Sequence, residues 1–265
     1  MIVRKTPAEI EAMARAGEIH VKTMNLLAGK VRPGVTTGEL DAAAEKFIRS
    51  QGATPAFKGY RGFPGSICAS PNHMVVHGIP GRFKLRKGDI LSIDIGVVKD
   101  GWVADGARTF AVGEISPTAA KLLQVTEESL FAAVRQCEIG NRLGDVSHAV
   151  QSHVESHGLS VVRSLVGHGI GRSMHEEPQI PNYGPPGKGV VLDEGMVLAI
   201  EPMVTAGRHM VRMGDDGWAI FSQDGSLAAH FEFTVAITEA GPRILTPWHE
   251  SGQRAAASEP LRAAL

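Results

Sequence analysis

Cysteine is nearly absent from this chain: among 265 residues there are two, Cys68 and Cys137. Two thiols cannot build a disulfide framework, and a reducing compartment suits them best. Aromatic residues make up only 5% of the sequence. Neither sign of charge is in excess, with 27 Lys and Arg against 28 Asp and Glu and a formal net charge of −1. That balance excludes the basic surface of a nucleic-acid or anionic-membrane binder. The densest positive cluster, Arg82, Lys84, Arg86 and Lys87, reads as a solvated turn before a strand. No apolar run is long enough to span a bilayer, and the opening Met1-Ile-Val-Arg-Lys lacks a signal-type apolar core. The glycine-rich stretches carry neither the dinucleotide pattern nor a Gly-Lys-Ser/Thr loop, so nucleotide binding is not supported. Ser66 and Ser164 lack the context of a nucleophile elbow, and neither cysteine has a histidine nearby in sequence. The expectation is a soluble, cytoplasmic protein without covalent catalysis.

What is present begins with helix starts. Thr6-Pro-Ala-Glu9 combines a hydroxyl cap, a proline suited to the first turn and a glutamate that closes a capping box. Ile10, Met13, Ala14, Gly17, Val21 and Met24 follow at helical spacing. Further helices are predicted from Thr37 to Gly52, Pro117 to Cys137 and Leu143 to His157. Apolar β-type runs lie at 90–98, 109–112, 196–204 and 231–238. A single domain over 1–248 is expected, followed by a small, polar tail at 249–265.

The chain also resembles itself. Gly34-Val-Thr-Thr-Gly-Glu-Leu40 and the glycine at 52 match Gly140-Asn-Arg-Leu-Gly-Asp-Val146 and the glycine at 158. Leu85-Arg-Lys-Gly-Asp-Ile-Leu-Ser-Ile-Asp94 matches Leu192-Asp-Glu-Gly-Met-Val-Leu-Ala-Ile-Glu201. Each copy of the second motif is a turn glycine, an apolar strand and a carboxylate. Such self-similarity predicts an α+β domain with pseudo-two-fold symmetry. Asp94 and Glu201 stand inside apolar runs, where a charge is costly unless paired or bound to metal. Asp105 and Glu232 lie at or near the second strand of each half, so hairpin-like pairing would gather four acids at the symmetry axis. Four converging carboxylates need a cation, and a pair of divalent metals would bridge them. His168, in a glycine-lined turn, is the natural nitrogen ligand; His175 would stand beyond the metal, and His77 is a further candidate. The set suits Mn, Co, Fe or Zn. His148, His153 and His157 fall on the fourth helix; although His153 and His157 have metal-compatible spacing, they read as a solvated face.

Taken together, His77-Gly-Ile-Pro, Ser92-Ile-Asp94-Ile-Gly, Asp105-Gly-Ala-Arg-Thr-Phe, Gly167-His168-Gly-Ile-Gly, Met174-His175-Glu-Glu-Pro, Ile200-Glu201-Pro-Met and Phe231-Glu232-Phe-Thr-Val resemble the type I methionine aminopeptidases in their short bacterial form. The likeness runs in order from about Pro7 to Leu245. It implies a pita-bread fold, with helices and antiparallel strands around a central dimetal site. By the same likeness Asp94, Asp105, His168, Glu201 and Glu232 hold two metals, with Asp105 and Glu232 bridging. His77 would contact the substrate near its scissile amide, His175 the scissile carbonyl, and Glu201 would relay protons while dimetal-activated hydroxide attacks the first peptide bond. The methionine side chain would enter a pocket of Phe57, Tyr60, Phe63, Cys68, Met174 and Trp218. The stretch from Phe57 to Pro64, aromatic and spaced by glycines, independently suits a slot. Phe57, Phe63, His73, Met174 and Phe233 depart from the family's usual residues without removing a ligand. Substrates implied are nascent polypeptides and peptides with an N-terminal methionine and a small second residue, with ribosome association and a monomeric state. The chain's own second residue, Ile2, is bulky, so its start methionine is expected to stay. Two rival readings are an X-prolyl aminopeptidase or prolidase of the same fold and a non-catalytic pita-bread binding module.

Overall fold

The computed structural model describes residues 1–249, so all but the first residue of the expected tail lies outside the described residues. The first half runs α1 (Pro7–Ala28), α2 (Thr37–Ser50), β1 (Thr54–Pro55), β2 (Cys68–Pro71), β3 (Met74–Val76), β4 (Ile90–Lys99) and β5 (Trp102–Ala111). The second half opens with α3 (Pro117–Val134), α4 (Leu143–Ser156), β6 (Ser160–Val161), β7 (Val166–Gly169), β8 (Glu176–Pro181) and β9 (Val197–Ile200). It closes with β10 (Met203–Thr205), β11 (Val211–Met213), β12 (Ile220–Ser222), β13 (Ala228–His230), β14 (Phe233–Thr238) and β15 (Gly241–Ile244). No helix among the described residues is long and apolar enough to cross a membrane.

The helices start where the sequence supplies caps. The Thr6–Glu9 box opens α1, and Thr36 with Glu39 forms a second box at α2. Ser116 caps α3 through the Ala119 amide. At α4 the Asp145 carboxylate takes the Arg142 amide at 2.7 Å, as Glu39 takes the Thr36 amide. The repeat is therefore also visible in hydrogen bonds. Gly34 N–H donates to Leu85 and Gly140 N–H to Leu192; Gly88 N–H donates to Val112 and Gly195 N–H to Ile237.

Alternation along β4 and β9 explains why acids stand in apolar runs. Leu91, Ile93, Ile95 and Val97 face the helices and join the main core with Leu27, Leu40 and Ile48. Ser92, Asp94 and Gly96 then share the opposite face, as successive strand residues must. Leu198 and Ile200 do the same in the second half, leaving Ala199 and Glu201 on the inner face. β4 and β5 form the expected hairpin, with Asp94 opposite Ala107 and Asp105 opposite Gly96. Asp105 thus lies inside its strand and not ahead of it.

The second half is less simple. The run 196–204 breaks at Glu201-Pro202, so that β9 joins a five-stranded sheet while β10 pairs with β13 and β6. The run 231–238 likewise begins in a break, with Phe231 and Glu232 lying between β13 and β14. Ile200 faces Phe233 and Met203 faces His230, so the register carries Glu201 opposite Glu232 across the gap. The halves meet where Ala107 and Glu232 exchange backbone hydrogen bonds of 2.9 and 3.4 Å.

The turn before β9 depends on one glycine. Gly195 has φ +83°, and a Cβ there would lie 2.5 Å from the Lys5 carbonyl oxygen. Gly195→Ala should destabilise the protein by about 2 kcal/mol through backbone strain and that collision, read as a lower midpoint in urea unfolding.

Candidate metal centre

Register decides which side chains converge. His168 on β7 faces Ala199 on β9, which puts it on the same face as Glu201 two residues along. It does not occupy a turn, as its glycine neighbours suggest, but a strand pressed between two others. A Cβ at Gly167 would lie 2.4 Å from the Ala199 oxygen, and one at Gly169 would lie 2.1 Å from that of Glu177. The glycines are the price of close strand packing around the imidazole. Asp105, His168 and Glu232 are all buried, and one ligand atom from each lies within 4.8 Å of the others. Asp94 and Glu201 line the same cavity of about 210 Å³.

Burial dominates the electrostatics. It raises the Asp105 carboxyl from 3.8 to about 7. Desolvation and then the neighbouring acids push Asp94, Glu201 and Glu232 well above the usual carboxylate range. Burial lowers His168 to about 4, so its ring is neutral. Its Nδ1–H donates to the Gly169 carbonyl at 2.9 Å, which leaves the Nε2 lone pair on the side of Glu201, 3.6 Å away. Asp94 Oδ1 and Glu232 Oε1 are buried without a hydrogen-bond partner. Oxygen donors without partners beside a neutral imidazole lone pair fit a divalent cation.

The predicted substrate residues gather around this cluster. Phe57, Tyr60, Phe63, Cys68, His77, His175 and Trp218 line the cavity, whereas Met174 stands behind its lining. A Cβ on Gly96 would touch the Met174 methyl at 2.7 Å and the Phe57 ring at 2.8 Å. Phe63 meets Trp218 edge-on at 5.1 Å between ring centroids. Burial and the nearby acids keep the Cys68 thiol well above its usual pKa, so it is an apolar wall and no thiolate ligand. His77 adopts φ +60° at the end of β3, and burial keeps its ring neutral. His175 stands 4.4 Å from the His168 ring, and its Nδ1 and the Tyr60 hydroxyl share a 2.8 Å hydrogen bond.

Three neighbours were not singled out by the sequence. His230 is buried, with Nε2 3.6 Å from Glu201 and 3.9 Å from Glu232. The signal was its place two residues before Glu232. Arg61 lines the cavity mouth, where its charge lowers the His175 pKa after burial has done so. Glu176, one of the two glutamates behind His175, pairs with the buried Lys5 ammonium at 2.7 Å and accepts from the Ser173 amide. It braces the loop that carries His175.

Comparison with known proteins agrees with this geometry. Residues 11–239 match the family model for metallopeptidase family M24. The chain belongs to that family. It is 56% identical over 247 residues to a methionine aminopeptidase of Clostridium acetobutylicum, covering 93% of this chain and 99% of the relative. A solved methionine aminopeptidase of Rickettsia prowazekii superposes with TM-score 0.92 at 41% identity, covering 93% of this chain and all of the other. The prolidase of Pyrococcus furiosus superposes with TM-score 0.75 at 25% identity, covering 95% of this chain and 66% of that one. The pita-bread fold implied by the resemblance, which agrees with the two-fold repeat, is thus the fold of this chain.

The raised carboxyls set the pH dependence. Native Asp105 keeps its proton between 3.8 and about 7, where the unfolded chain has lost it. Its contribution therefore makes the metal-free protein less stable as pH rises through that window. A cation must displace the proton, so metal affinity should rise with pH up to about 7. Titration calorimetry in buffers of different ionisation enthalpy should show protons released on metal binding at pH 6, and fewer at pH 8.

Proposed function

We propose that this protein is a methionine aminopeptidase that removes the N-terminal methionine from nascent proteins and peptides with a small second residue. The observation that carries this reading is a buried cluster of four acids and an imidazole that shares one cavity with an aromatic slot. Metallopeptidase chemistry needs the first, and an unbranched apolar side chain suits the second. Two divalent ions held by Asp94, Asp105, His168, Glu201 and Glu232 would supply Lewis acidity and a water of lowered pKa. The donor set suits Mn, Co, Fe or Zn.

The remaining steps belong to the chain. Phe57, Tyr60, Phe63, Cys68 and Trp218 take the methionine side chain, with Met174 behind them, and exclude water from it. The acidic wall receives the substrate's free α-amino end, which restricts reaction to the first residue. His175 donates from Nε2–H to the scissile carbonyl oxygen as negative charge develops there. The Tyr60 hydroxyl, donating to Nδ1, supports the tautomer this requires. His77, neutral and at the cavity wall, contacts the substrate near its amide nitrogen. Glu201 is the least enclosed of the four acids, which supports its role in passing a proton to the leaving amine. Action as a cytoplasmic monomer on chains emerging from the ribosome completes the proposal.

The test is hydrolysis of Met-Ala-Ser and Ala-Pro-Ala by metal-stripped protein titrated separately with Co, Mn, Fe and Zn. Metal-dependent release of methionine alone is expected. Turnover of the prolyl peptide alone would assign the protein to the X-prolyl enzymes of the same fold. Absence of turnover with ions bound would leave a binding module. His175→Ala should lower kcat by about 10²–10³-fold with unchanged metal content, and Tyr60→Phe should do so more mildly. Parallel loss of metal and activity would remove that role from His175.

A further inference from the structure

The histidines of α4 acquire a third partner from the neighbouring helix. His153, in the last turn of α4, and His157, the residue that caps its C-terminus, stand four residues apart with ring centroids 4.7 Å apart. Glu128 reaches them from α3, placing Oε2 3.1 Å from His153 Nε2. One ligand atom from each of the three lies within 4.8 Å of the others. Two further hydrogen bonds orient the set. His157 Nδ1–H donates to the His153 carbonyl at 2.8 Å, which leaves its Nε2 as a lone pair. Gln124 donates its side-chain amide to Glu128 Oε1 at 2.9 Å, which leaves Oε2 on the histidine side. Imidazole tied to a carbonyl through its second nitrogen, and carboxylate tied through its second oxygen, is how metal ligands are commonly oriented from outside the coordination sphere.

We propose that Glu128, His153 and His157 bind a divalent transition ion, Zn²⁺ as the working case, that staples α3 to α4. None of the three lines the cavity of the acid cluster, so the site is separate from it. Zinc takes these donors at roughly 2.0–2.2 Å in a tetrahedron, which sets the ligand atoms about 3.4 Å from one another; the His153–Glu128 pair, at 3.1 Å, opens slightly, and His157 closes on it from within 4.8 Å. Side chains with 26% and 43% of their surface free, as in His153 and Glu128, have room for that movement. The ion displaces the hydrogen-bonded proton between His153 and Glu128. A water completes the tetrahedron from an open, polar hollow of about 470 Å³ beside His153, lined also by Arg135, Asp145 and His148. Because the ion joins two helices in the folded state only, it stabilises that state in proportion to the logarithm of free zinc.

The experiment is equilibrium dialysis against Zn²⁺ of the wild type and of His153→Ala/His157→Ala, with zinc counted per chain and Tm recorded at each concentration. The wild type should hold one ion more than the double variant, whatever number the acid cluster takes. Its Tm should keep rising with zinc after that of the variant has levelled. Glu128→Gln, a near-isosteric change on a half-exposed side chain, should weaken the extra ion tenfold or more and serves if the double variant does not fold. Equal zinc counts and equal Tm responses in wild type and variants would overturn the proposal. Methionine release should be alike in all three proteins, so the outcome is independent of the chemistry assigned to the acid cluster.

Discussion

The burial of four neighbouring carboxylates, Asp94, Asp105, Glu201 and Glu232, is the constraint around which the molecule is arranged. Carboxylates placed this close and out of water would each rather be neutral, and the shifts of all four run in that direction. A flexible loop would relieve the strain by moving apart. Here the acids sit on or beside paired strands whose outer faces are sealed by helices, so separation would require breaking the core. The fold supplies rigidity and a cation supplies compensation, which is the division of labour expected of a metalloenzyme.

The two-fold repeat makes this arrangement economical, since each half presents an inner-facing acid from its first strand and another from the strand beside it. The halves are not equal, however. The first presents its pair on one continuous hairpin. The second presents Glu201 and Glu232 at a break where strands change sheets, and adds His168 from β7, on the far side of β9. Pro202, which has no amide hydrogen to give a ladder, stands at that break. The asymmetry opens room on one side of the cluster, and the aromatic slot occupies the same cavity.

Much of this was legible in the residues. Helix starts were readable because caps act locally, through Thr6 with Glu9 and through the glycines beyond the ends. The acids were readable because an aspartate among isoleucines violates burial rules that the repeat then shows to be violated twice. Strands β6 to β8 and β11 to β13 were not, being short, polar or glycine-bearing, with pairing set by distant partners. His168 was singled out for a local reason that the structure replaces, since its glycines serve strand packing and not a turn. His230, Arg61 and Glu176 escaped because their significance lies in what approaches them from elsewhere. Glu128 and the α4 histidines show the same limit: i to i+4 spacing is local, but the carboxylate opposite arrives from another helix.

Lys5 has a wider reach than its position suggests. Its backbone bonds to the Gly195 carbonyl at the turn into β9, and its ammonium holds Glu176 behind His175. The opening segment is therefore a strut between the strand that leads to Glu201 and the loop that carries His175. Anything fused directly ahead of Met1 pulls on that strut from only a few residues away. The other end is tied in as closely, since Thr246 and Trp248, just beyond the last strand, donate to the Asp105 and Glu232 carbonyls, so an affinity tag at either end of the described chain is a chemical variable.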